Sequence, residues 1–544
     1  MPIDFKTIES RFSPTNDGKC AFSANGIITT QSAPASQVGA DIMRAGGNAV
    51  DAAASAALAL GVTEPQASGL GGQTMMLIRL QDKVIAVDGS SRAPSLAHVS
   101  AVYKRDRSTG YRATTVPSTL ATLWYVHQRY GQLPWQQIVE PAITLAKSGF
   151  LVTELQHNLL VRERENFAKV ESGSGTKYFY KNGAAYQPGE LFKQADLANT
   201  LARIAKGGAH EFYRGAIAQQ IDADMRENGG LLRMDDLALI PFPIEREPIV
   251  GAFRELDIYT MPPPGSGRSF LFALMMLDLV PNNVEMNDPL KEYLLFIHIL
   301  RKTLLERSDR PYDPNFFPQS QHEEDMLDPL YARECLLDIL ADVDRSVLPF
   351  VPTEDELAGE TTHLSVIDKN GIAVSLTQSI ERVFGSKAAA AGLGFLYNNY
   401  LYDFEYALPE HPFYLRPNAV PWATVAPSLV FHNDDLWLVL GSPGSERIVS
   451  TLARFLLNIV DNRMSLSEAM LAPRLHCSLG GRVSLEAGRF PESLLPFLEY
   501  KNFRIDKRED FSFYLGCVQA VLKQQDGGLQ GVADVRRDGT VIGV

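Results

Sequence analysis

The sequence predicts a layered α/β (α+β) protein with sheets inside and helices outside. The segment 114–240 is mostly helical by pattern, whereas the chain after residue 361 is rich in strand patterns. Groups of strands that alternate with groups of helices are typical of stacked layers. The 544 residues, 45% of them hydrophobic and 21% charged, can form a large core. Length alone would allow two to four domains, but a large layered fold can also be one unit.

The formal net charge is −13 at pH 7. Phosphate binding requires a basic face, so this charge argues against nucleic acid or an anionic membrane surface as the main partner. The four cysteines form no CxxC pair, and the ten histidines form no HExxH pattern. We therefore predict no metal, no cofactor and no disulfide scaffold.

The first residues lack a basic segment followed by an apolar one, so no secretory signal is visible. The longest apolar helix candidate, Ala52 to Val62, is built on alanine and is shorter than the roughly 20 residues of a membrane span. We expect a cytoplasmic protein.

Two helices and two strands are predicted near the N-terminus. The first helix, 36–45, is amphipathic and ends at Gly46-Gly47. Asn48 can cap a second helix that continues to residue 62. Two strand-like runs follow a glycine-rich loop, and they are Met75–Leu80 and Val84–Asp88.

The middle of the chain is predicted to be helical. A rigid loop with three prolines, 259–267, leads into an apolar helix from Phe270 to Leu279. A long helical region, 289–342, then precedes a linker from Phe350 to Glu360 that is rich in Pro, Glu, Asp and Gly.

A β-hairpin is predicted directly after this linker. Apolar and polar residues roughly alternate in Leu364–Ile367 and again in Ile372–Leu376. The four residues 368–371 between them contain an Asn-Gly pair, which suits a tight turn with positive φ. The pair Thr361-Thr362 stands at the head of this hairpin.

A second hairpin is predicted from Val425–Val430 and Leu436–Leu440. The segment Gly441-Ser442-Pro443-Gly444-Ser445 then turns into a helix that starts near Arg447. Backbone N–H groups at such a helix N-terminus can form an oxyanion hole. The same composition is also common in ordinary turns.

The position of the threonine pair suggests a nucleophile. A threonine hydroxyl is a poor nucleophile unless a base lies beside it, and a chain-terminal threonine carries its own α-amine as that base. An internal threonine gains this amine only if the peptide bond before it is cut. A linker that ends at Glu360, with Thr361 opening a core strand, has the right layout for such a cut. The alternative is a purely structural pair, because threonine favours strands.

The sequence resembles the γ-glutamyltranspeptidase family, also called glutathione hydrolases, which belongs to the N-terminal nucleophile hydrolases. Eight matching segments follow the family's order over most of the chain. They are GGNAVDAA (46–53), EPQASGLGG (64–72), VPST (116–119), PAITLAKSGF (141–150), MPPPGSG (261–267), TTHLSVID (361–368), GSPGS (441–445) and APR (472–474).

The resemblance implies a four-layer αββα sandwich that is made as one proenzyme. The proenzyme would cut itself between Glu360 and Thr361, giving a large subunit 1–360 and a small subunit 361–544 that stay together as a heterodimer and one αββα unit. Thr361 would then attack the carbonyl carbon of a substrate amide and form an acyl-enzyme. Water or an amine acceptor would release the acyl group.

The resemblance also assigns the groups around the nucleophile. Gly444 and Ser445 match the family's oxyanion pair, which is usually Gly-Gly, and a backbone N–H serves from either residue. Ser379 stands where the family usually has a second threonine that hydrogen-bonds the nucleophile. His363, two residues along the strand, is interpreted as structural rather than as a second base.

The carboxylate side of the substrate pocket departs from the family pattern. A match without gaps puts Ser90 in place of the family's carboxylate-binding arginine, and Arg92 is predicted to substitute for it. The family's two assisting serines fall at Ala423 and Thr424, so one hydroxyl is lost. The segment between Phe404 and Pro421 is short beside members with a lid loop.

The amine side is closer to the pattern. Asp403 matches the ammonium-binding aspartate of the family. Glu381 stands where asparagine is common, and Tyr400 stands where glutamine or glutamate is common. Carboxylates at 381 and 403 would suit an ammonium group.

The leading hypothesis is an enzyme that cleaves γ-glutamyl amides such as glutathione through a γ-glutamyl-enzyme, with small molecules as its partners. The first alternative is a relative with the same chemistry on another amide, of the oxamate amidohydrolase or cephalosporin acylase type. The remote alternative is an uncut, non-catalytic binding protein that keeps the fold.

Overall fold

The structure is a computed structural model that describes residues 3, 5–9, 18–81, 83–240, 243–280, 288–309, 311, 325–343 and 359–544. The predicted linker before Gly359 therefore lies outside the described residues. Within the described ranges, no helix is both long and apolar enough to cross a membrane.

Two large sheets form the centre of the protein, and two small sheets lie outside them. The strands are β1 (Cys20–Ser23), β2 (Gly26–Thr30), β3 (Gln73–Arg79), β4 (Val84–Gly89), β5 (Phe150–Leu151), β6 (Leu191–Phe192), β7 (Ile244–Arg246), β8 (Ile249–Phe253), β9 (Leu256–Thr260), β10 (Gly359–Asp368), β11 (Ala373–Arg382), β12 (Ser428–His432), β13 (Asp435–Gly441), β14 (Leu475–Cys477), β15 (Arg482–Glu486), β16 (Arg504–Arg508), β17 (Gln519–Lys523), β18 (Leu529–Ala533) and β19 (Thr540–Gly543).

The helices lie mostly between these strands in sequence and outside the sheets in space. They are α1 (Phe5–Ile8), α2 (Ala33–Arg44), α3 (Ala49–Thr63), α4 (Thr119–Tyr130), α5 (Trp135–Ser148), α6 (Glu154–Ala168), α7 (Ser174–Phe179), α8 (Ala195–Tyr213), α9 (Ala216–Glu227), α10 (Met234–Leu239), α11 (Gly267–Asp278), α12 (Pro289–Asp309), α13 (Pro329–Asp342), α14 (Arg447–Val460), α15 (Leu466–Leu471) and α16 (Leu494–Tyr500).

Among the described residues, each large sheet has seven antiparallel strands. The first has the order β19-β2-β10-β11-β3-β4-β7, with the predicted nucleophile strand β10 near its centre. The second has the order β1-β18-β17-β13-β12-β9-β8. The two small sheets, β14-β15-β16 and β5-β6, are peripheral.

The large sheets face each other across an apolar layer that includes Leu77, Leu429 and Val439. Helices α2 to α10 pack on the outer face of the first sheet. Helices α11 to α16 pack on the outer face of the second sheet. This arrangement confirms the predicted four-layer αββα fold.

The two predicted subunits share both sheets. In the first sheet, residues 1–360 supply β2, β3, β4, β7 and the start of β10. Residues 361–544 supply β11, β19 and the rest of β10. The second sheet likewise combines β1, β8 and β9 with β12, β13, β17 and β18. A cut before Thr361 would therefore leave two interleaved pieces, although the division itself stays a prediction.

Strand β10 alternates between the two faces of its sheet. Leu364 and Val366 point toward the helices, whereas Ile367 points toward the second sheet. His363 is buried, with Nδ1 2.8 Å from Thr377 Oγ1 and Nε2 3.1 Å from Ser365 Oγ. Burial lowers the pKa of His363 to about 3, so the ring is neutral and joins the two strands of the hairpin.

Within the described residues the predicted elements are present, with different ends. The hairpin strands are longer than expected, and β10 begins at Gly359, so Thr361 is not its first residue. The reason is that Gly359 and Glu360 pair with Arg382 and Glu381 of β11. The strand expected at Val425–Val430 begins only at Ser428. Helices α2 and α3 agree closely with the prediction.

A buried glutamate joins the end of helix α3 to strand β10. The Glu64 N–H donates to Leu60 O and closes the helix, while the Thr362 hydroxyl donates to Glu64 Oε2 at 2.6 Å. Burial raises the pKa of Glu64 to about 8, and the hydrogen bond from Thr362 and the charge of Arg537 only partly offset this effect. The carboxyl is therefore protonated in the folded protein at neutral pH.

This raised pKa predicts a pH-dependent stability. Between about pH 5 and 8 the folded state keeps the proton that an unfolded glutamate loses near 4.3, so the free energy of unfolding falls as pH rises. The expected slope from this group is roughly 1.4 kcal/mol per pH unit. The Glu64→Gln variant lacks the group, and its slope should be shallower by that amount.

Denaturant unfolding at several pH values checks this, with the exposed Glu247→Gln as matched control. The control should follow the wild type. Equal slopes for wild type and Glu64→Gln would contradict the assignment.

Candidate active site

A β-bulge lies at the predicted cleavage bond. Thr361 is opposite Ser379, and Glu360 is opposite Glu381, so Ile380 is an extra residue on β11. The Ile380 N–H bonds outside the pair, to Ala67 O at 3.2 Å. A bulge bends its strand and re-aims neighbouring side chains, and bulges are common next to active sites. Here the bulge lies opposite the Glu360–Thr361 peptide bond, so the partners of these two residues on β11 are not adjacent to each other.

The Ser379 hydroxyl bridges the two sides of that bond. Thr361 Oγ1 donates to Ser379 Oγ at 3.2 Å, and Ser379 Oγ donates to the Glu360 carbonyl oxygen at 2.8 Å. The Glu381 N–H donates to the same Ser379 oxygen at 2.8 Å. One hydroxyl thus contacts the predicted nucleophile and polarises the carbonyl of the preceding peptide bond. Thr361 and Ser379 are both buried.

Tyr400 contacts the same group from another side. Its buried side chain lies near Ser379 and Gln73. Burial, together with the charge of Glu381, raises the pKa of Tyr400 well above its usual value, so its hydroxyl stays protonated. The structure therefore brings Tyr400 together with Thr361 and Ser379, although its predicted contact with substrate stays a prediction.

A buried ion pair holds the residue before the nucleophile. The Glu360 carboxylate pairs with Arg537, whose Nη1 also donates to Thr361 O at 3.4 Å and to Gln31 Oε1 at 3.2 Å. Burial raises the pKa of Glu360, and Arg537 opposes that shift. Arg537 lies in the chain segment just before the C-terminal strand β19 and belongs to no motif, so the sequence alone does not identify it.

The predicted oxyanion pair lies beside this segment. Gly444 has a φ of 126° and Ser445 a φ of 53°, so the turn between β13 and α14 uses the left-handed region twice. A Cβ added to Gly359 would lie 2.7 Å from Ser445 Cβ. In the uncut chain the backbone before Thr361 therefore runs directly against Ser445.

A cavity of about 740 Å³ opens next to this contact. It brings together four predicted residues, namely Glu381, Asp403, Thr424 and Ser445. Its wall also contains charged and aromatic side chains that the sequence analysis did not select. They are Lys104, Arg107, Arg307, Arg382, Tyr402, Trp422, Glu446 and Arg447.

Glu381 and Asp403 form a carboxyl pair in the cavity wall. Their side chains hydrogen-bond each other, which requires a proton on one of the two carboxyls. Burial raises the pKa of both groups, and repulsion by Glu381 raises that of Asp403 further. Glu381 has a φ of 79°, an uncommon conformation for a residue with a side chain. Such a pair is a ready acceptor for a cationic group.

Several arginines surround this pair. Arg307, from helix α12, lies with its guanidinium carbon 4.3 Å from the centre of the Trp422 ring. Burial lowers the pKa of Arg307 to about 10, so it stays charged at neutral pH. Arg382 stacks 3.5 Å over the Tyr402 ring, and Arg447 lies 4.2 Å over the Tyr514 ring.

The predicted carboxylate-binding residue lies elsewhere. Arg92 Nη1 donates to Asn418 O at 3.2 Å, and the residue does not line the cavity. Its role in carboxylate binding stays a prediction. Ala423 is buried between the sheets, whereas Thr424 reaches the cavity. Across the part of the chain that the structure describes, no cluster of His, Cys, Asp and Glu is arranged to hold a metal ion.

Comparison with known proteins identifies relatives along the whole chain. The sequence model of the γ-glutamyltranspeptidase family matches residues 35–544. The glutathione hydrolase proenzyme of Escherichia coli is 32% identical over 568 aligned residues, which cover 98% of this chain and 93% of the relative. The Acylase ACY 1 proenzyme of a Pseudomonas species is 30% identical, with 97% and 95% covered.

A solved structure agrees in fold. The cephalosporin acylase from Bacillus halodurans superimposes with a TM-score of 0.88 at 26% identity, and 98% of this chain and 99% of that chain are covered. The family match, the sequence relatives and the αββα architecture all point the same way. The chain is therefore an enzyme of the γ-glutamyltranspeptidase family of N-terminal nucleophile hydrolases.

Proposed function

We propose that the protein is a self-cleaving amidohydrolase and acyltransferase that acts on γ-glutamyl amides such as glutathione. The observation that carries the reaction class is the Ser379 hydroxyl, which contacts both Thr361 Oγ1 and the Glu360 carbonyl. The choice of a γ-glutamyl group rests on the carboxyl pair Glu381 and Asp403 in the adjacent cavity. The proenzyme names of the relatives support self-cleavage.

The contacts of Ser379 with Thr361 Oγ1 and the Glu360 carbonyl support self-cleavage. Thr361 Oγ1 attacks the Glu360 carbonyl carbon, and Ser379 stabilises the developing oxyanion by donating to that oxygen. The bond from Glu360 C to Thr361 N then breaks, so the acyl group moves to the hydroxyl as an ester while the nitrogen takes the proton. Water hydrolyses the ester, leaving a carboxylate on Glu360 and a free α-amine on Thr361.

The free amine completes the catalyst. It accepts the hydroxyl proton as Thr361 attacks the substrate amide, and the leaving amine takes that proton as the C–N bond breaks. The chain before Thr361 would no longer be tied to the nucleophile, so its contact with Ser445 can open. The N–H groups of Gly444 and Ser445 would then stabilise the oxyanion. Water or an amine acceptor completes the turnover.

A second candidate is an amide whose acyl group carries a carboxylate but no ammonium. Five cationic side chains line the cavity, against three carboxyls, two of which share a proton. Such a cavity favours anionic acyl groups. The likeness to a cephalosporin acylase supports this candidate as well. Oxamate, the substrate of an oxamate amidohydrolase, is a small molecule that would fill only a small part of the cavity of about 740 Å³.

Two substrates that differ in one group separate these candidates. We expect γ-glutamyl p-nitroanilide to be cleaved with a kcat/KM about 10- to 100-fold above that of glutaryl p-nitroanilide, which lacks only the amine. Asp403→Asn should remove most of this preference, mainly through KM, while the exposed Glu410→Gln serves as control. A wild type that prefers the glutaryl compound would support the second candidate. Cleavage of neither anilide would count against the proposed function.

The role of Ser379 gives a separate test of self-cleavage. Replacing it with alanine removes the donor to Glu360 O, and self-cleavage should slow by roughly 100-fold. Ser379→Thr keeps a hydroxyl and should cleave at a rate near the wild type. The matched control is Ser375→Ala, a buried serine of the same strand that bonds Leu440 O instead. Fragment formation is followed by intact mass over time. A Ser379→Ala chain that is cut as fast as the control would refute the bridge.

A further inference from the structure

Arg307 has an unusual environment for a buried cation. It is only 7% exposed, and its Nη1 has no hydrogen-bond partner among the described residues. A buried guanidinium N–H without an acceptor is costly, so natural proteins seldom leave one unless a ligand or water satisfies it. Arg307 also lines the cavity, together with Leu304 and Ser308 from the same helix. The missing acceptor can therefore come from a bound molecule.

The charged neighbours of Arg307 indicate which chemical groups that bound molecule carries. Glu446 is the strongest charged neighbour of Arg307, and Asp403 and Glu381 also act on its charge, so the guanidinium lies near the carboxyl pair. In a γ-glutamyl group the ammonium and the carboxylate are attached to one carbon atom. A carboxylate-binding cation must therefore lie next to the ammonium-binding pair, and Arg307 meets this condition.

The other cavity arginines are less suitable. Arg447 Nε already donates to Tyr514 O at 3.2 Å. Arg107 also has a buried N–H without a partner, at Nε, but it stacks 3.4 Å over the Tyr406 ring and is not a main charged neighbour of Glu381 or Asp403. Arg382 acts on both carboxyls more strongly than Arg307 does. It stacks 3.5 Å over the Tyr402 ring, however, and among the described contacts it has no buried N–H that lacks a partner. Arg382 is the closest competitor.

We infer that Arg307 is the specificity-determining residue that binds the α-carboxylate of the substrate, in the place that the sequence analysis gave to Arg92. The inference rests on the proposed function for the identity of the substrate. Two N–H groups of a guanidinium match the two oxygens of a carboxylate, and stacking on Trp422 holds the guanidinium plane in place. The cation thus comes from helix α12 of the outer layer, not from the loop after β4.

The test compares two substrates that differ only in the carboxylate. They are γ-glutamyl p-nitroanilide and γ-aminobutyryl p-nitroanilide. Arg307→Gln should raise KM for the first by at least about 30-fold with little change in kcat, and should leave the kinetics of the second within about twofold. Arg307→Lys should recover only part of the loss, because an ammonium lacks the paired donors. The control is Arg79→Gln, a distant arginine that bonds Gly371 O.

Parallel variants Arg92→Gln and Arg382→Gln decide between the arginines. A carboxylate-selective KM increase in either of these, but not in Arg307→Gln, would overturn the inference. An equal effect of Arg307→Gln on both substrates would also overturn it, because that result indicates a structural role.

A binding measurement keeps the inference separate from the proposed function. If the wild type cleaves neither anilide, the proposed function fails, and calorimetric titration with glutarate tests Arg307 alone. Binding that weakens at least about 10-fold in Arg307→Gln supports the carboxylate site. Absent binding to the wild type, or equal binding to both proteins, overturns it.

Discussion

The hydrogen bond from the Ser379 hydroxyl to the Glu360 carbonyl is the interaction on which the site depends. For this hydrogen bond, Thr361 must lie opposite Ser379 while Glu360 lies opposite Glu381 on the neighbouring strand. The bulge at Ile380 provides this arrangement, because Ile380 is an extra residue between Ser379 and Glu381. In a regular ladder, neighbouring side chains would point to opposite faces of the sheet. The site therefore arises from a local irregularity in an otherwise regular hairpin.

Buried polar side chains hold this irregular segment in place. Arg537 pairs with Glu360 and also contacts the Thr361 carbonyl, so the C-terminal part of the chain is tied to the predicted cleavage bond. On the helix side, protonated Glu64 accepts from Thr362. Removing one partner of a buried ion pair is far more costly than removing an exposed one. These contacts fix strand β10 on both sides of the predicted cleavage bond.

Sequence reasoning could predict the parts that have a local pattern. The layered order, the hairpin and the turn at Gly371 follow from periodicity and turn chemistry, and the resemblance selected Thr361 and Ser379. The bulge was not predictable, because nothing in the residues around Ile380 specifies an extra residue. The start of β10 could not be predicted, because a charged glutamate beside a polar linker is typical of the linker. Its buried partner, Arg537, is 177 residues away in the sequence.

The cavity was the hardest part to predict. Its residues come from a helix, several loops and two strands that are far apart in sequence, so Arg307 and Trp422 share no motif with Glu381. In the sequence of helix α12, Arg307 is one of several charged residues and looks like part of a solvent-exposed helix face. Four arginines line the cavity and Arg92 does not, and only the three-dimensional arrangement reveals this difference.

The most direct test of the account is the N-terminal sequence and intact mass of the purified protein beside its Thr361→Ala variant. We expect two wild-type fragments that meet between Glu360 and Thr361, the second starting with Thr361, and an uncut variant. An uncut wild-type chain, or a cut at another bond, would contradict it, because Thr361 would then have no free α-amine.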